Sequence, residues 1–302
     1  MEKLSFHQAA VLGATGPTGR HLTMELQRCG IKVRALSRSE VQLRAVDAAH
    51  GVAPLHQALD GCDLVFNCLG LPPALMHLHP VVAGNLAEAV AKGRARCVLV
   101  SSFWSYLPLV AASLDASHPR VGGPPWTRLR REAEDILRTA GAAIVHLPDF
   151  YGPEVHVSLL QQPLREATAG KAMNWVGSVD TVHEYAYVPD AMALVARLAK
   201  EQAAYGRNWI FPGSGPITGR EVAGIASREL KRSVTLRGAG QGVLRLVSFF
   251  KPELRSFMPM VPDYLKPLTF DPSRLIELIG PVKATPYHAG IRQTLASLAT
   301  KA

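Results

Sequence analysis

The segment Gly13-Ala14-Thr15-Gly16-Pro17-Thr18-Gly19 sets three glycines at Gly-x-x-Gly-x-x-Gly spacing. It lies between an apolar run, Ala9 to Leu12, and an amphipathic stretch, His21 to Arg28, that stops at Gly30. A strand, a glycine turn and a helix in that order bind pyrophosphate. The glycines permit a sharp turn and a close backbone approach, and the helix N-terminus directs its amides at the phosphates. Gly13, Thr15, Gly16, Pro17, Thr18 and Gly19 are therefore read as contacts to a dinucleotide. After the next apolar run, Ile31 to Leu36, comes Ser37-Arg38-Ser39, and the first carboxylate, Glu40, falls beyond the tip. A carboxylate at that tip would bond the 2′-hydroxyl of NAD, whereas an arginine accommodates the 2′-phosphate of NADP. Arg38 thus predicts NADP(H) over NAD(H), the plain alternative being a solvated loop arginine.

Other chemistry-bearing residues form no recognisable constellation. His77 with His79, and His183 with Glu184, lack the separation that puts two ligands on one helical face, so they are read as surface or loop residues and no metal is expected. No Ser/His/Asp arrangement sits at a nucleophile elbow. Cys29, Cys62, Cys68 and Cys97 stand singly at unrelated spacings, which reads as reduced thiols in a cytoplasmic protein. Lys and Arg number 33 against 24 Asp and Glu, for a net charge of +9. The basic residues are scattered and accompany no nucleic-acid motif, so no nucleic-acid partner is expected. No apolar run approaches the roughly 18 residues of a membrane span, and no membrane partner is expected.

These residues need a frame to position them, and the hydrophobic pattern supplies one. Apolar runs at Ala9 to Leu12, Ile31 to Leu36, around Leu43 to Val46, at Leu64 to Cys68, Cys97 to Val100 and Ala143 to Leu147 read as strands. Helical stretches at His21 to Arg28, Leu55 to Leu59, Val81 to Ala91 and Thr127 to Thr139 alternate with them. The connection from Ser37 to Leu43 is too short for a full crossover helix. Such alternation predicts an α/β fold, a doubly wound parallel (Rossmann) sheet. Residues 1–150 are read as the NAD(P)-binding domain. Residues 151–302, where Gly and Pro punctuation loosens the pattern, are read as a smaller C-terminal α/β substrate lobe partly interwoven with it.

At this point the sequence resembles the short-chain dehydrogenase/reductase superfamily, specifically its extended and atypical branches, which include the NAD-dependent epimerase/dehydratase family and NmrA-like proteins. The resemblance rests on Gly13 to Gly19, Ala58 to Phe66, Asn67-Cys68-Leu69-Gly70, Val98-Leu99-Val100-Ser101-Ser102, His146 to Pro153, Glu184 to Asp190, and the closing Phe270 to Arg274 and Thr285 to Tyr287. It implies adenine contact by Asp47 and cofactor contacts by Leu69, Gly70, Pro148 and Phe150. It also implies reactive-site roles for Ser102, Tyr106 and Tyr151. His146 and Asp149 fall near the cofactor, and His146 is read as a core residue.

The departure is at the catalytic pair. Alignment through Arg130-Arg131-Glu132-Ala133-Glu134 puts Trp126 where the superfamily carries tyrosine and Arg130 where it carries lysine. An indole N–H is no practical general acid, and a guanidinium cannot shuttle a proton, although Arg130 can still bind ribose hydroxyls or phosphate. Three functions stay open. The first is reduction of a small apolar or aromatic carbonyl, enone, imine or quinone by NADP(H) without the standard acid. The second is a non-redox isomerisation or elimination with bound cofactor, and the third an NmrA-like redox sensor without turnover. The segment Val243 to Tyr264 is expected to line an apolar substrate pocket, to meet a partner, or to form the lobe's own core. The resemblance also suggests a homodimer.

Overall fold

The computed structural model describes residues 3–37, 44–45, 47–250 and 254–300. In chain order it contains β1 (Gln8–Leu12), α1 (Pro17–Arg28), β2 (Lys32–Ser37), β3 (Arg44–Ala45), α2 (Val52–Leu59), β4 (Leu64–Asn67), α3 (His79–Lys92), β5 (Arg96–Ser102), β6 (Ser113–Leu114), α4 (Pro125–Thr139), β7 (Ala143–Leu147) and β8 (Phe150–Tyr151). There follow α5 (Gln161–Thr168), β9 (Met173–Val176), β10 (His183–Glu184), β11 (Ala186–Tyr187), α6 (Val188–Leu198), β12 (Asn208–Ile210), β13 (Pro216–Ile217) and α7 (Gly219–Glu229). The chain closes with β14 (Leu236–Ala239), α8 (Gln241–Phe250), α9 (Val261–Tyr264), β15 (Thr269–Phe270), α10 (Ser273–Ile279) and α11 (Tyr287–Ala299).

Seven strands form one parallel sheet in the order β12-β7-β5-β4-β1-β2-β3. β4 and β7 are buried along their whole length because both faces of the sheet are covered, which is why such strands read as unbroken apolar runs. Their side chains still divide by the period of two. Ala9, Val11, Phe66, Val98 and Val145 meet α1 and α6 on one face, and Ala10, Leu12, Val65, Cys97 and Ile144 meet α2, α3 and α4 on the other. Strand order reverses about β1, whose neighbours are β2 and β4. In a doubly wound sheet the ligand crevice opens at that reversal, beyond the carboxyl ends of the strands.

The Rossmann expectation holds, with differences that have physical reasons. α1 and α4 begin at Pro17 and Pro125, ahead of the expected His21 and Thr127, because proline suits the first helical turn, where its missing N–H leaves no bond unmade. A seventh strand, β12, joins the sheet beside β7 with Ile210 opposite His146, and α6 packs on α1. Both elements come from the second half of the chain. Arg38 and the expected short connection before β3 lie outside the described residues.

The remaining strands pair as β8–β11, β9–β14, β10–β13 and β6–β15. A second core of Leu164, Trp175, Tyr185, Val222 and Ile291 lies among them. The segment Val243 to Tyr264 divides between two environments. Met260, Val261 and Tyr264 are buried, whereas Val243, Leu246, Phe249 and Phe250 face outward. Among the described residues no helix is long and apolar enough to cross a membrane.

Candidate functional site: a crevice at the carboxyl edge of the sheet

β1 delivers the chain to Gly13, whose φ of +76° favours glycine. A Cβ on Gly13 would lie 2.8 Å from the Cys68 carbonyl oxygen, and one on Gly19 would collide with the Gly13 carbonyl oxygen. Strand end, turn and helix are therefore packed backbone to backbone. Gly16, by contrast, would meet only the Gly13 carbonyl oxygen, at 3.4 Å. α1 has neither a side-chain cap nor an acidic residue in its first turn, so its orphan amides and positive dipole end remain available to an anion. Thr18 is buried and Thr15 is exposed, the Thr15 carbonyl accepting a bond from Arg20 Nε at 3.0 Å.

Beside this turn a crevice opens to solvent, lined by Gly13, Leu36, Ser37, Asp47, Ala48, Leu69 and Gly70 among others. The structure thus gathers Gly13, Asp47, Leu69 and Gly70 around one space at the ends of β1, β2 and β4. Asn67 holds the Leu69 amide through its side-chain oxygen at 3.1 Å. Asp47 accepts from the Ala49 amide at 3.0 Å and lies 3.7 Å from His50 Nδ1. A crevice with this lining and an uncapped helix end beside it fits a dinucleotide, and these residues would hold it.

Farther along the same edge, a second crevice lies between α3 and α4, lined by Asn67, Leu69, His79, Ser101, Arg130 and Glu134 among others. Ser101 donates to Glu134 at 2.5 Å, Arg120 donates to the other Glu134 oxygen at 2.6 Å, and His146 Nε2 lies 3.1 Å from it. Burial pushes the Glu134 carboxyl up, but His146, Arg120 and the Ser101 hydroxyl together bring it down to about 2. Arg130 donates to the Ser101 hydroxyl at 3.4 Å; burial lowers its guanidinium from the usual range while Glu134 works against that. His79, expected on the surface, instead begins α3, and its buried Nε2 has no partner among the described residues. Burial, followed by neighbouring Arg130, pushes that imidazole down to about 4, so it is neutral at neutral pH.

Beyond β5 and β7 a third group assembles. Ser102 caps the turn Phe103–Tyr106, its hydroxyl accepting from the Trp104 amide at 3.3 Å. Trp104 Nε1 donates to the Tyr264 hydroxyl at 2.8 Å, and that hydroxyl donates to Asp149 at 2.5 Å. Trp126 sets its ring 5.7 Å from that of Trp104, and Phe257 sets its own 5.5 Å from that of Tyr264. Burial pushes the Asp149 carboxyl up to about 6, against the hydrogen bonds from Tyr264 and Trp104.

Pro148 is buried and Phe150 packs half-buried against the sheet core. Tyr106 and Tyr151 are both fully buried. Tyr106 has its ring edge-on to His146 at 4.9 Å and beneath the Arg120 guanidinium, whereas Tyr151 stacks on Tyr287 at 5.7 Å within the lobe core. Burial raises both hydroxyls above the ordinary phenol range, which makes their phenolate forms hard to reach. Sequence reasoning passed over Tyr264, which ends an apolar segment 115 residues from Asp149. It also passed over Trp104, whose signal is its place between Ser102 and Tyr106. Among the described residues no group of three or more His, Cys, Asp or Glu side chains could hold a metal ion.

Residues 13–147 match a family described as NAD(P)H-binding. Over nearly its whole length the chain is similar to three solved structures. One, assigned as an epimerase, comes from Burkholderia cenocepacia: it is 18% identical, with a TM-score of 0.81, over 97% of this chain and 98% of that one. The second is UDP-glucuronic acid 4-epimerase from Bacillus cereus in complex with NAD, 12% identical with a TM-score of 0.78, over 96% of each chain. The third is dTDP-glucose 4,6-dehydratase from Bacillus anthracis in complex with NAD, 12% identical with a TM-score of 0.77, over 97% of each. Comparison with curated proteins finds no match. Residues 13–147, the stretch that carries the glycine turn, are thus similar to NAD(P)H-binding domains. The chain as a whole shares the fold of these three proteins.

Proposed function

We propose that this protein is an NADP(H)-dependent oxidoreductase that reduces a small apolar or aromatic carbonyl, enone, imine or quinone. The observation that carries this reading is the half-buried aromatic group of Trp104, Trp126 and Phe257, backed by the buried Tyr264, beside the ends of β5 and β7. Such a surface suits a flat apolar acceptor, because aromatic faces gain from offset or edge contacts with another π-system. The reduced nicotinamide, when bound, supplies a hydride. Gly13, Gly16 and the N-terminus of α1 hold the pyrophosphate, Asp47 and Leu69-Gly70 border the adenosine, and Arg130 meets the ribose nearest the reacting ring. Ser102 hydrogen-bonds the acceptor oxygen, where negative charge develops as hydride arrives.

Arg38 supports NADP over NAD by its place just after β2. Replacing it with Asp is expected to weaken NADPH binding at least tenfold more than NADH binding in a fluorescence titration; equal losses for both would remove the assignment. The redox reading itself is tested by a panel of acceptors followed at the NADPH absorbance band, where consumption of cofactor with at least one acceptor is expected. A second reading, an epimerisation or elimination with no net change in the cofactor, is favoured by the resemblance to nucleotide-sugar epimerases and dehydratases. Product formation at constant NADPH absorbance would establish it instead. We infer a cytoplasmic setting from the four cysteines, which stand as thiols and not as disulfides. Tight cofactor binding with no turnover by either assay would leave the redox-sensor role.

A further inference from the structure

Neither the indole of Trp126 nor the guanidinium of Arg130 can deliver a proton, so a reduction at this edge of the sheet needs one from elsewhere. Leu147 pairs with Ser102 in the sheet, and Asp149 stands two residues beyond it, on the same carboxyl edge where the glycine turn opens. Asp149 is half-buried and is reached by side chains from three separate parts of the chain. Tyr264 of α9 donates to it at 2.5 Å, Trp104 from the turn after β5 supports that hydroxyl at 2.8 Å, and Tyr185 lies within electrostatic reach between β10 and β11. None of these facing groups is a cation.

We propose that Asp149 is the proton donor and acceptor of this cleft, held in place by the Tyr264 hydroxyl and the Trp104 indole N–H. The inference rests on the oxidoreductase reading for the reaction it serves. As the acceptor carbon takes up the hydride and its electron pair, the C=O π pair moves onto oxygen. That oxygen forms a new O–H bond with the proton leaving the Asp149 carboxyl. The products are an alcohol, the oxidised cofactor and an Asp149 carboxylate stabilised by the Tyr264 O–H, and the carboxylate regains its proton from solvent before the next turnover. A carboxyl raised to about 6 by burial has an appreciable acid fraction near neutral pH, where acid catalysis contributes about 10²- to 10⁴-fold.

The test labels the aspartate carboxyls with ¹³C and follows them by NMR through pH 3–8, with and without saturating NADP⁺, in the wild type, Asp149→Asn and Tyr264→Phe proteins. A resonance titrating near pH 6 is expected, absent from Asp149→Asn, displaced by NADP⁺ and moved to higher pH in Tyr264→Phe, where the carboxylate loses a donor. Turnover of any acceptor found should fall at least 100-fold in Asp149→Asn, with cofactor affinity changing less than threefold. The proposal is overturned if the resonance missing from Asp149→Asn titrates near the ordinary aspartate value, or if it ignores an NADP⁺ whose binding is seen by quenching of protein fluorescence. It is also overturned if Asp149→Asn turns over as the wild type does. Failure of the oxidoreductase reading looks different: no acceptor is reduced, while the titration and its response to NADP⁺ still decide whether Asp149 holds the proton of the cleft.

Discussion

At the scale of single residues, the glycine turn divides two jobs that its regular spacing conceals. Gly19 is fixed by packing, because any side chain there meets the backbone of Gly13 and Ala14. Gly16 is fixed by what approaches it, since a Cβ would touch only one carbonyl oxygen, at 3.4 Å. Gly19→Ala is therefore expected to lower folding stability by about 2 kcal/mol or more, the range for forcing atoms into a filled space, as read from urea unfolding. Gly16→Ala should leave the unfolding midpoint within error and weaken NADPH at least tenfold, about 1.4 kcal/mol, by holding the pyrophosphate off the backbone. Equal effects of the two substitutions would mean that the turn serves only the fold. The glycine turn was legible in the sequence because turn chemistry is local, whereas Asp47 was placed by the family resemblance alone. The Asp149, Tyr264 and Trp104 group was not, because its members come together only when α9 folds back over the ends of β5 and β7.

At the scale of elements, Glu134 ties four pieces of the chain together: α4, which carries it; β5 through Ser101; β7 through His146; and the loop before α4 through Arg120. Alternating apolar runs announced those strands, since a sheet covered on both faces needs them. The polar tie was read from sequence only as a register mark on a charged helix, because helical spacing does not reveal which face of α4 meets the sheet. Glu134→Ala leaves Arg120 and His146 without their buried partner and is expected to cost about 3–5 kcal/mol, as for one lost member of a buried ion pair. The pH dependence follows from the depressed carboxyl. The Glu134 contribution is present above its unfolded value near 4.5 and is lost as pH falls from there through about 2. The stability gap between wild type and Glu134→Ala, measured by denaturant titration, should accordingly be wide at pH 7 and narrow by pH 3. A gap that does not change with pH would mean that side-chain volume, not charge, is what Glu134 contributes.

At the scale of the whole molecule, the loosening of pattern after Tyr151 suggested a boundary that the sheet crosses. β12 is only three residues long, too short to announce itself as a strand, yet it covers the outer edge of β7. α6 supplies Ala191, Val195 and Leu198 to the same apolar layer as Leu22 and Leu26 of α1. A fragment of residues 1–150 would expose the β7 edge and one face of α1 together, a combination that favours aggregation over folding. The full chain is expected to unfold in urea as one cooperative step, with far-UV circular dichroism and tryptophan fluorescence superimposing, and the fragment to show no cooperative transition. Trp104 and Trp126 lie in the first half of the chain and Trp175 and Trp209 in the second, so fluorescence reports on both. Saturating NADPH should move that single transition as a unit, by about 2.7 kcal/mol at one hundred times its dissociation constant. Two separated transitions, with only the first responding to cofactor, would instead show that the nucleotide-binding half folds without β12 and α6, and that their packing against it is dispensable.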